Sequence, residues 1–385
     1  MRILFWSPTF LPTLGGAEVL GFELARALGE RGHAVRVVTD RSKDPALPAE
    51  AVIEGVAVHR FALAAPVVTG DAGGILRVKQ AVARGKAEFA PDVVHVLLFG
   101  VDLVIHRLTA GARRVPDVAT LQQPVIPLYG REKSYVGATL GGARWLIAPS
   151  EAALNSYRGV VPDIGSRSSV ILNSLPLPLL TTPRPVGPPR IVCAGRLEVQ
   201  KGFDLAIGAL ARLRETRPGL RLVIAGDGPA RGALEAQASV RGVADAVEFR
   251  GWVPPREVPQ LLRSASVVVM PSRDHELFGL VALQAAQMAR PIVASSLGGL
   301  REVVVDGVTG SLVPPDDEGA LACAVAAVLD EPSRAAAMGT AARRRVVEQF
   351  GWERFVDAHE AVYARAVEAA AGGPGSGGRS VHSRA

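Results

Sequence analysis

Two cations, Arg196 and Lys201, stand five residues apart in Ala194-Gly195-Arg196-Leu197-Glu198-Val199-Gln200-Lys201-Gly202. A β-branched run precedes this stretch and a helical pattern follows it, so the cations belong to a strand-to-helix loop. Glycines at both ends let such a loop turn the two side chains toward one point. There a guanidinium offers bidentate contact to a phosphate and an ammonium acts as a point charge. A diphosphate suits the pair; two solvated loop cations are the plain alternative. A second segment, Pro271-Ser272-Arg273-Asp274-His275-Glu276-Leu277-Phe278-Gly279-Leu280, follows a strand ending at Met270 and leads into a helix expected from Phe278. The unpaired amides of Phe278, Gly279 and Leu280 would then face an anion. Glu276 and Gln284 are eight residues apart, or about 12 Å along a helix, comparable to the reach from hexose to ribose in a sugar nucleotide. A third segment, Thr13-Leu14-Gly15-Gly16-Ala17-Glu18, also joins a strand to a helix. Paired glycines there admit a ligand close to the backbone and a helix end faces it, although a tight turn uses the same residues.

A fourth loop is a decoy. Gly226-Asp227-Gly228-Pro229-Ala230-Arg231-Gly232, with Glu248 further on, looks like a dinucleotide fingerprint. Its last glycine falls one residue late, Pro229 removes an N–H, and the loop follows the second strand of its half rather than the first. A nicotinamide dehydrogenase is therefore disfavoured. Cys193 and Cys323 lie in apolar settings and read as buried thiols, and the seven histidines lack zinc-type spacing. The sequence implies no metal and no resident cofactor. The net charge of +6 is diffuse. Its densest cluster, Arg343-Arg344-Arg345, reads as a solvated helix face, and no arginines alternate with aromatics, so no nucleic-acid partner is expected. Arg77, Lys79, Arg84 and Lys86 share one helical segment. That suits peripheral contact with an anionic membrane surface as well as it suits a solvated face.

The elements that must position these loops alternate along the chain. Strands are expected at 2–6, 34–39, 56–60, 93–97, 117–120, 145–148 and 169–172, then at 190–194, 220–225, 246–250, 266–270, 291–294 and 310–313. A helix fits 17–31, ended by Gly32, and an Ala- and Arg-rich helical region fills 318–371 with a break near Phe350-Gly351. Six prolines between Pro176 and Pro189 deny that stretch regular structure. The fold class is α/β: two Rossmann-like doubly wound domains facing each other across a cleft. The domains run 1–178 and 190–351, joined by a proline-rich linker at 179–189, and the Gly/Ser-rich tail 372–385 is expected to be disordered. No run reaches the roughly 20 apolar residues of a membrane-spanning helix. The N-terminus lacks signal-peptide features, so a cytoplasmic location is expected.

In order and spacing the chain resembles the retaining family-4 glycosyltransferases of GT-B fold, the group-1 glycosyl transferases. The resemblance rests on Gly15-Gly16-Ala17-Glu18, Pro91-Asp92-Val93-Val94-His95, Ala148-Pro149-Ser150-Glu151, Asn173, Gly195-Arg196 with Lys201-Gly202, Phe249-Arg250-Gly251, Glu276-Leu277-Phe278-Gly279, and Gly298-Gly299 followed by Glu302-Val303 and Asp306-Gly307-Val308-Thr309-Gly310. It implies a metal-independent enzyme that moves a hexose from a nucleotide-diphosphate sugar to an acceptor hydroxyl. Arg196 and Lys201 would hold the diphosphate, and Glu276 would bond the donor hexose. Leu277, Phe278, Gly279 and Leu280 would line the donor, Gly15 and Gly16 would touch its phosphate, Trp252 and Val253 its base, and Gln284 its ribose. The helix after Trp352 would cross back onto the first domain. A small-molecule, glycan or lipid-linked acceptor would dock on the first domain near Gly15, the loop 66–74 and the segment 122–129. Members commonly carry a glutamate where this chain has Gln284, and many carry a histidine where it has Gln122-Gln123. Gln122 and Gln123 thus become the candidate donor-sugar or acceptor contacts. An epimerase or phosphorylase of the same fold and a non-catalytic nucleotide-sugar-binding partner subunit are the competing functions.

Overall fold

A computed structural model describes residues 1–12, 15–110, 115–125, 134–161, 163–180 and 187–371. Thr13, Leu14, the second half of the expected acceptor segment 122–129, much of the proline-rich linker and the tail lie outside the described residues. The first sheet holds β1 (Arg2–Ser7), β2 (Ala34–Asp40), β3 (Glu50–Ile53), β4 (Val56–Phe61), β5 (Val93–Val96), β6 (Asp117–Thr120), β7 (Trp145–Ala148) and β8 (Ser168–Val170), in the order β3-β4-β2-β1-β5-β6-β7-β8. The second holds β9 (Arg190–Ala194), β10 (Arg221–Ala225), β11 (Val247–Gly251), β12 (Val267–Met270), β13 (Ile292–Ser295) and β14 (Gly310–Val313), in the order β11-β10-β9-β12-β13-β14. Every pairing is parallel except β3 with β4. Central strands such as β5, β12 and β13 are buried along their whole length, as expected for sheets covered by helices on both faces. β3 is not among the strands expected from the sequence. The two-residue link Glu54-Gly55, with both φ values positive, makes it a hairpin with β4.

Helices cover both faces of each sheet, so each sheet separates two apolar clusters. The last helix, Trp352–Ala371, sends Phe355, Val356, Val362 and Tyr363 into a cluster of the first domain with Ile3, Phe5 and Val93. Arg31 pins its outer side to Asp357 at 2.6 Å and to Glu360 at 2.5 Å. Inside, His95 lies 2.7 Å from the Tyr363 hydroxyl and 2.5 Å from the Thr120 hydroxyl.

His359 is buried in the same place, and burial pushes its pKa down from 6.5 to about 4. Between these values the unfolded chain binds a proton that the folded chain refuses. Stability from this group therefore falls as pH drops from 6.5 to 4, by about 3 kcal/mol. Asp102 acts with the opposite sign, because burial pushes its carboxyl up to about 7. Its contribution is full below 3.8 and lost as pH rises toward 7. A His359→Gln variant separates the two. Its stability deficit against wild type, measured by urea unfolding, narrows by about 3 kcal/mol between pH 7 and pH 4. A deficit that stays constant rejects the assignment.

Four expectations need correction. Lys86 leaves the exposed basic segment: its Nζ bonds Thr109 Oγ1 at 2.9 Å and approaches His106 Nδ1 at 3.1 Å, and burial lowers its pKa to about 8. Only Arg77, Lys79 and Arg84 of that group remain toward solvent. Arg343 and Arg345 are not a solvated face either. They reach inward to the carbonyls of Gln287 and Pro178 and of Glu302. Cys323 is exposed rather than buried. Residues 66–74 do not form an open loop, because the helix Ala65–Thr69 occupies their start and Asp71 caps the helix Ala72–Phe89. Among the described residues no helix is long and apolar enough to cross a membrane.

The strand orders fix where a ligand can sit. The first sheet grows outward from β1 to β2 on one side and to β5 on the other, and the second from β9 to β10 and to β12. Loops leaving these four strands diverge at the carboxyl ends and leave a crevice.

Candidate active site

The second domain brings two of the expected residues into direct contact. Lys201 Nζ lies 2.8 Å from Glu276 Oε2, and the Ser272 hydroxyl donates to the same oxygen at 3.1 Å. Lys201 closes a short 3-10 turn after β9 and Glu276 sits in the loop after β12, so the pair bridges the switch point of the sheet. Ser272 was not among the expected site residues. Its signal was its place at the strand end, where a hydroxyl can orient a carboxylate. Arg196 stands at the start of the β9 loop with its side chain 63% exposed, tied to Glu198 at 3.2 Å. It is therefore free to exchange one carboxylate for another anion. The decoy loop supports it from below: Leu197 N–H donates to the Asp227 carbonyl and Ala230 N–H to the Leu197 carbonyl. A β-carbon on Gly228 would fall 2.5 Å from the Leu197 carbonyl oxygen, so the glycines of 226–232 serve close packing.

The helix after Glu276 begins later than expected. It spans Leu280–Gln287, and Gly279, at φ 100, stands before it in the left-handed region. A β-carbon there would meet Leu300 Cδ2 at 2.6 Å. The unpaired amide end therefore comprises Gly279, Leu280, Val281 and Ala282, and Phe278 lies outside it with its buried ring against Phe350. Glu276 is on the loop and not on the helix, so the 12 Å helical spacing to Gln284 does not hold. Gln284 sits half-buried inside the helix.

The first domain closes over this loop. Gly15 caps the helix Gly16–Glu30. Glu18 Oε2 and Arg196 Nη2 both lie within 4 Å of the point where a Gly15 β-carbon would stand, and a Gly16 β-carbon would fall 2.9 Å from Leu280 Cδ1. Gly15 and Gly16 thus face Arg196 and Leu280 across the gap. Leu277 packs against a cluster of the first domain, and Leu280 against clusters of both. Beside Glu276 the domains leave a cavity of about 270 Å³ bounded by Pro124, Val125 and Ser156 on one side and by Asp274 and His275 on the other.

Gln123 does not face this space. Its side chain accepts from Phe99 N–H at 2.6 Å and donates to the Phe99 carbonyl at 3.2 Å. Gln122 pairs with Asn173 through two bonds of 2.9 and 3.2 Å. Trp252 and Val253 lie past the end of β11, two strands from β9 or about 10 Å. They line a groove of about 600 Å³ with Arg190, Glu248, Arg250 and Leu261. No hydrogen bond joins them to the Lys201–Glu276 pair among the described residues.

Comparison with known proteins gives the family and the fold. A family described as "Glycosyltransferase Family 4" matches residues 14–177, and one described as "Glycosyl transferases group 1" matches residues 181–345. The glycogen synthase of Mycobacterium tuberculosis is 34% identical over 402 residues, covering 94% of each chain. The chain belongs to the family-4 glycosyltransferases of GT-B fold. A D-inositol 3-phosphate glycosyltransferase of Thermobispora bispora is 31% identical over 92% of this glycosyltransferase and 90% of its own length. Solved structures share the fold. Sucrose-phosphate synthase from Thermosynechococcus elongatus superposes with a TM-score of 0.81 at 21% identity, covering 96% of this chain and 100% of that one. HepE of Anabaena in complex with UDP and glucose gives 0.77 at 20%, covering 94% and 99%.

Proposed function

We propose that this glycosyltransferase moves a hexose from a nucleoside-diphosphate sugar to an acceptor hydroxyl, with retention at the anomeric carbon and without a metal ion. The observation that carries the reading is the Lys201–Glu276 contact of 2.8 Å placed beside Arg196 and opposite Gly15. A relative whose name calls it GDP-mannose-dependent and solved relatives holding UDP or UDP-glucose support a nucleotide-sugar donor. On donor binding Arg196 leaves Glu198 for the diphosphate, Lys201 shares that charge, and the amide end at Leu280 faces the same group. Glu276 accepts from a hexose hydroxyl. The anomeric C–O bond then breaks, and its electron pair stays on the diphosphate. The acceptor oxygen attacks from the face the diphosphate leaves, and its proton passes to a phosphate oxygen. The cavity beside Glu276 gives the acceptor room.

Incubation of the purified chain with UDP-glucose and with GDP-mannose tests this. A true donor at a hundredfold excess over Kd raises folding stability by about 2.7 kcal/mol and releases nucleoside diphosphate slowly, with water as acceptor. EDTA leaves the rate unchanged, and the anomeric carbon–hydrogen coupling of the glycoside formed on an acceptor alcohol shows the donor's anomeric configuration. An inverted product, or activity abolished by EDTA and restored by a divalent ion, rejects the mechanism. Binding without release in the presence of any acceptor would identify a non-catalytic subunit instead.

A further inference from the structure

A carboxylate of the second domain caps a helix of the first. Glu302 Oε2 accepts from the N–H of Glu151 at 3.0 Å, and Oε1 accepts from the N–H of Ala152 at 2.8 Å. These amides open the helix Glu151–Arg158, whose own cap, Ser150, takes the N–H of Ala153 at 2.9 Å. The proton of the Ser150 hydroxyl goes across the gap, to the carbonyl of Leu277 at 2.5 Å. The first turn of one helix is thus satisfied by an acid from the other domain and by a serine that also holds the loop 276–279. Bonds from a carboxylate to such amides are charge-assisted and favoured by the helix dipole.

Glu302 is fixed in its own domain. Its N–H donates to the Gly299 carbonyl at 3.0 Å, and its carbonyl accepts from Arg345 Nη2 at 2.8 Å. Gly299 N–H donates to the Glu276 carbonyl at 2.9 Å. A β-carbon on Gly299 would stand 2.4 Å from the Leu277 carbonyl oxygen, so the loop rests on this glycine without slack. Two routes therefore lead from the helix of the first domain to Glu276. One passes through Ser150 and Leu277, the other through Glu302 and Gly299, and each link is a direct bond.

We propose that Glu302, assisted by Ser150, is a positioning residue of the transfer reaction. Its bonds to the first domain hold Glu276 and the amide end at Leu280 in place against the donor sugar, and they exist only while the two domains are together. This rests on the donor reading given above. Arg196 and Lys201 both belong to the second domain, so a nucleoside diphosphate meets them whether or not the bonds from Glu302 are made. Loss of those bonds acts on turnover and leaves nucleotide affinity alone.

The test uses the full chain and whichever of UDP-glucose or GDP-mannose the wild type hydrolyses. In Glu302→Ala, kcat falls about tenfold, the scale of a lost helix cap, while the Kd of UDP or GDP stays within about twofold of wild type. Glu302→Gln keeps an oxygen for one of the two amides and recovers part of the rate. Hydrogen exchange gives a readout independent of activity: donor slows exchange at Glu151 and Ala152 in wild type and fails to do so in Glu302→Ala. Should the alanine variant not fold, Glu302→Gln and Ser150→Ala carry the same comparison. Wild-type kcat in the variants, or donor-induced protection that survives in them, overturns the proposal. A wild type that neither binds nor hydrolyses any nucleotide sugar overturns the donor reading and the proposal with it.

Discussion

Lys201→Ala lowers turnover of the donor by about 10²–10³-fold, the loss typical of one preorganised electrostatic group, and leaves the fold intact. The ammonium lies 2.8 Å from Glu276, whose side chain is only 12% exposed. On the proposed mechanism, removing it takes away a positive charge where negative charge grows as the diphosphate departs. It also leaves the Glu276 carboxylate with Ser272 as its remaining polar partner in the loop, so the local field becomes repulsive to the leaving group. Glu276→Gln alone costs less, because an amide oxygen still accepts from a sugar hydroxyl. Combined with Lys201→Ala it adds little further loss, since residues in direct contact are not independent. The ammonium is 29% exposed, so the pair is partly screened by solvent, and the carboxylate left behind lowers the melting temperature by a few degrees without unfolding the chain. Release of nucleoside diphosphate, measured across the four combinations, checks the cycle. Near-wild-type turnover in Lys201→Ala, or strictly additive losses, contradicts the assignment. Arg196→Ala reduces rate on a similar scale through a different route: its guanidinium is largely exposed and held by Glu198 alone among the described ion pairs, so its loss weakens donor capture as well.

Much of this arrangement was legible before the structure. Short β-branched runs mark parallel strands because strands covered on both faces must be apolar throughout. Their alternation with helical periods leads to two doubly wound sheets, and the switch-point rule then selects the loops after β1, β9 and β12. What failed shares one cause: periodicity shows which face of an element is apolar, not what covers it. Lys86 reads as solvated in sequence, yet a buried threonine and histidine await it. Arg343 and Arg345 look like surface charge until the carbonyls of Gln287 and Glu302 stand opposite. Gln123 has the chemistry of a ligand contact, but a backbone 24 positions earlier takes both ends of its amide. The late start of the helix at Leu280 depends on a left-handed Gly279 held against Leu300, the first residue of a different helix, Leu300–Val303. Long-range partners of this kind leave no local pattern.

Gly298→Ala removes activity by a purely steric path and tests how rigidly the loop must hold Glu276. Gly298 has φ 47, and a β-carbon on it would stand 2.1 Å from the carbonyl oxygen of Glu276 and 3.1 Å from its carbonyl carbon. Both contacts are to backbone, so no side-chain rotation relieves them. The loop must move by the better part of an ångström, carrying the carboxylate away from Lys201. A displacement of that size at a reacting group costs on the order of 10²-fold in rate. The alanine also occupies the left-handed region, at about 1 kcal/mol, and overpacking adds roughly 1–3 kcal/mol, so melting temperature falls on the order of 5–10 °C. Gly307 provides the comparison. It has φ 70 with nothing within 4 Å of its would-be β-carbon, so Gly307→Ala bears only the backbone cost and keeps its kcat/KM. If the two variants lost activity equally, the loss would come from general destabilisation. If neither lost it, Glu276 would not need the placement that Gly298 imposes. The expected split, with both proteins folded and only the 298 variant inactive, ties catalysis to the packing of one backbone segment on another.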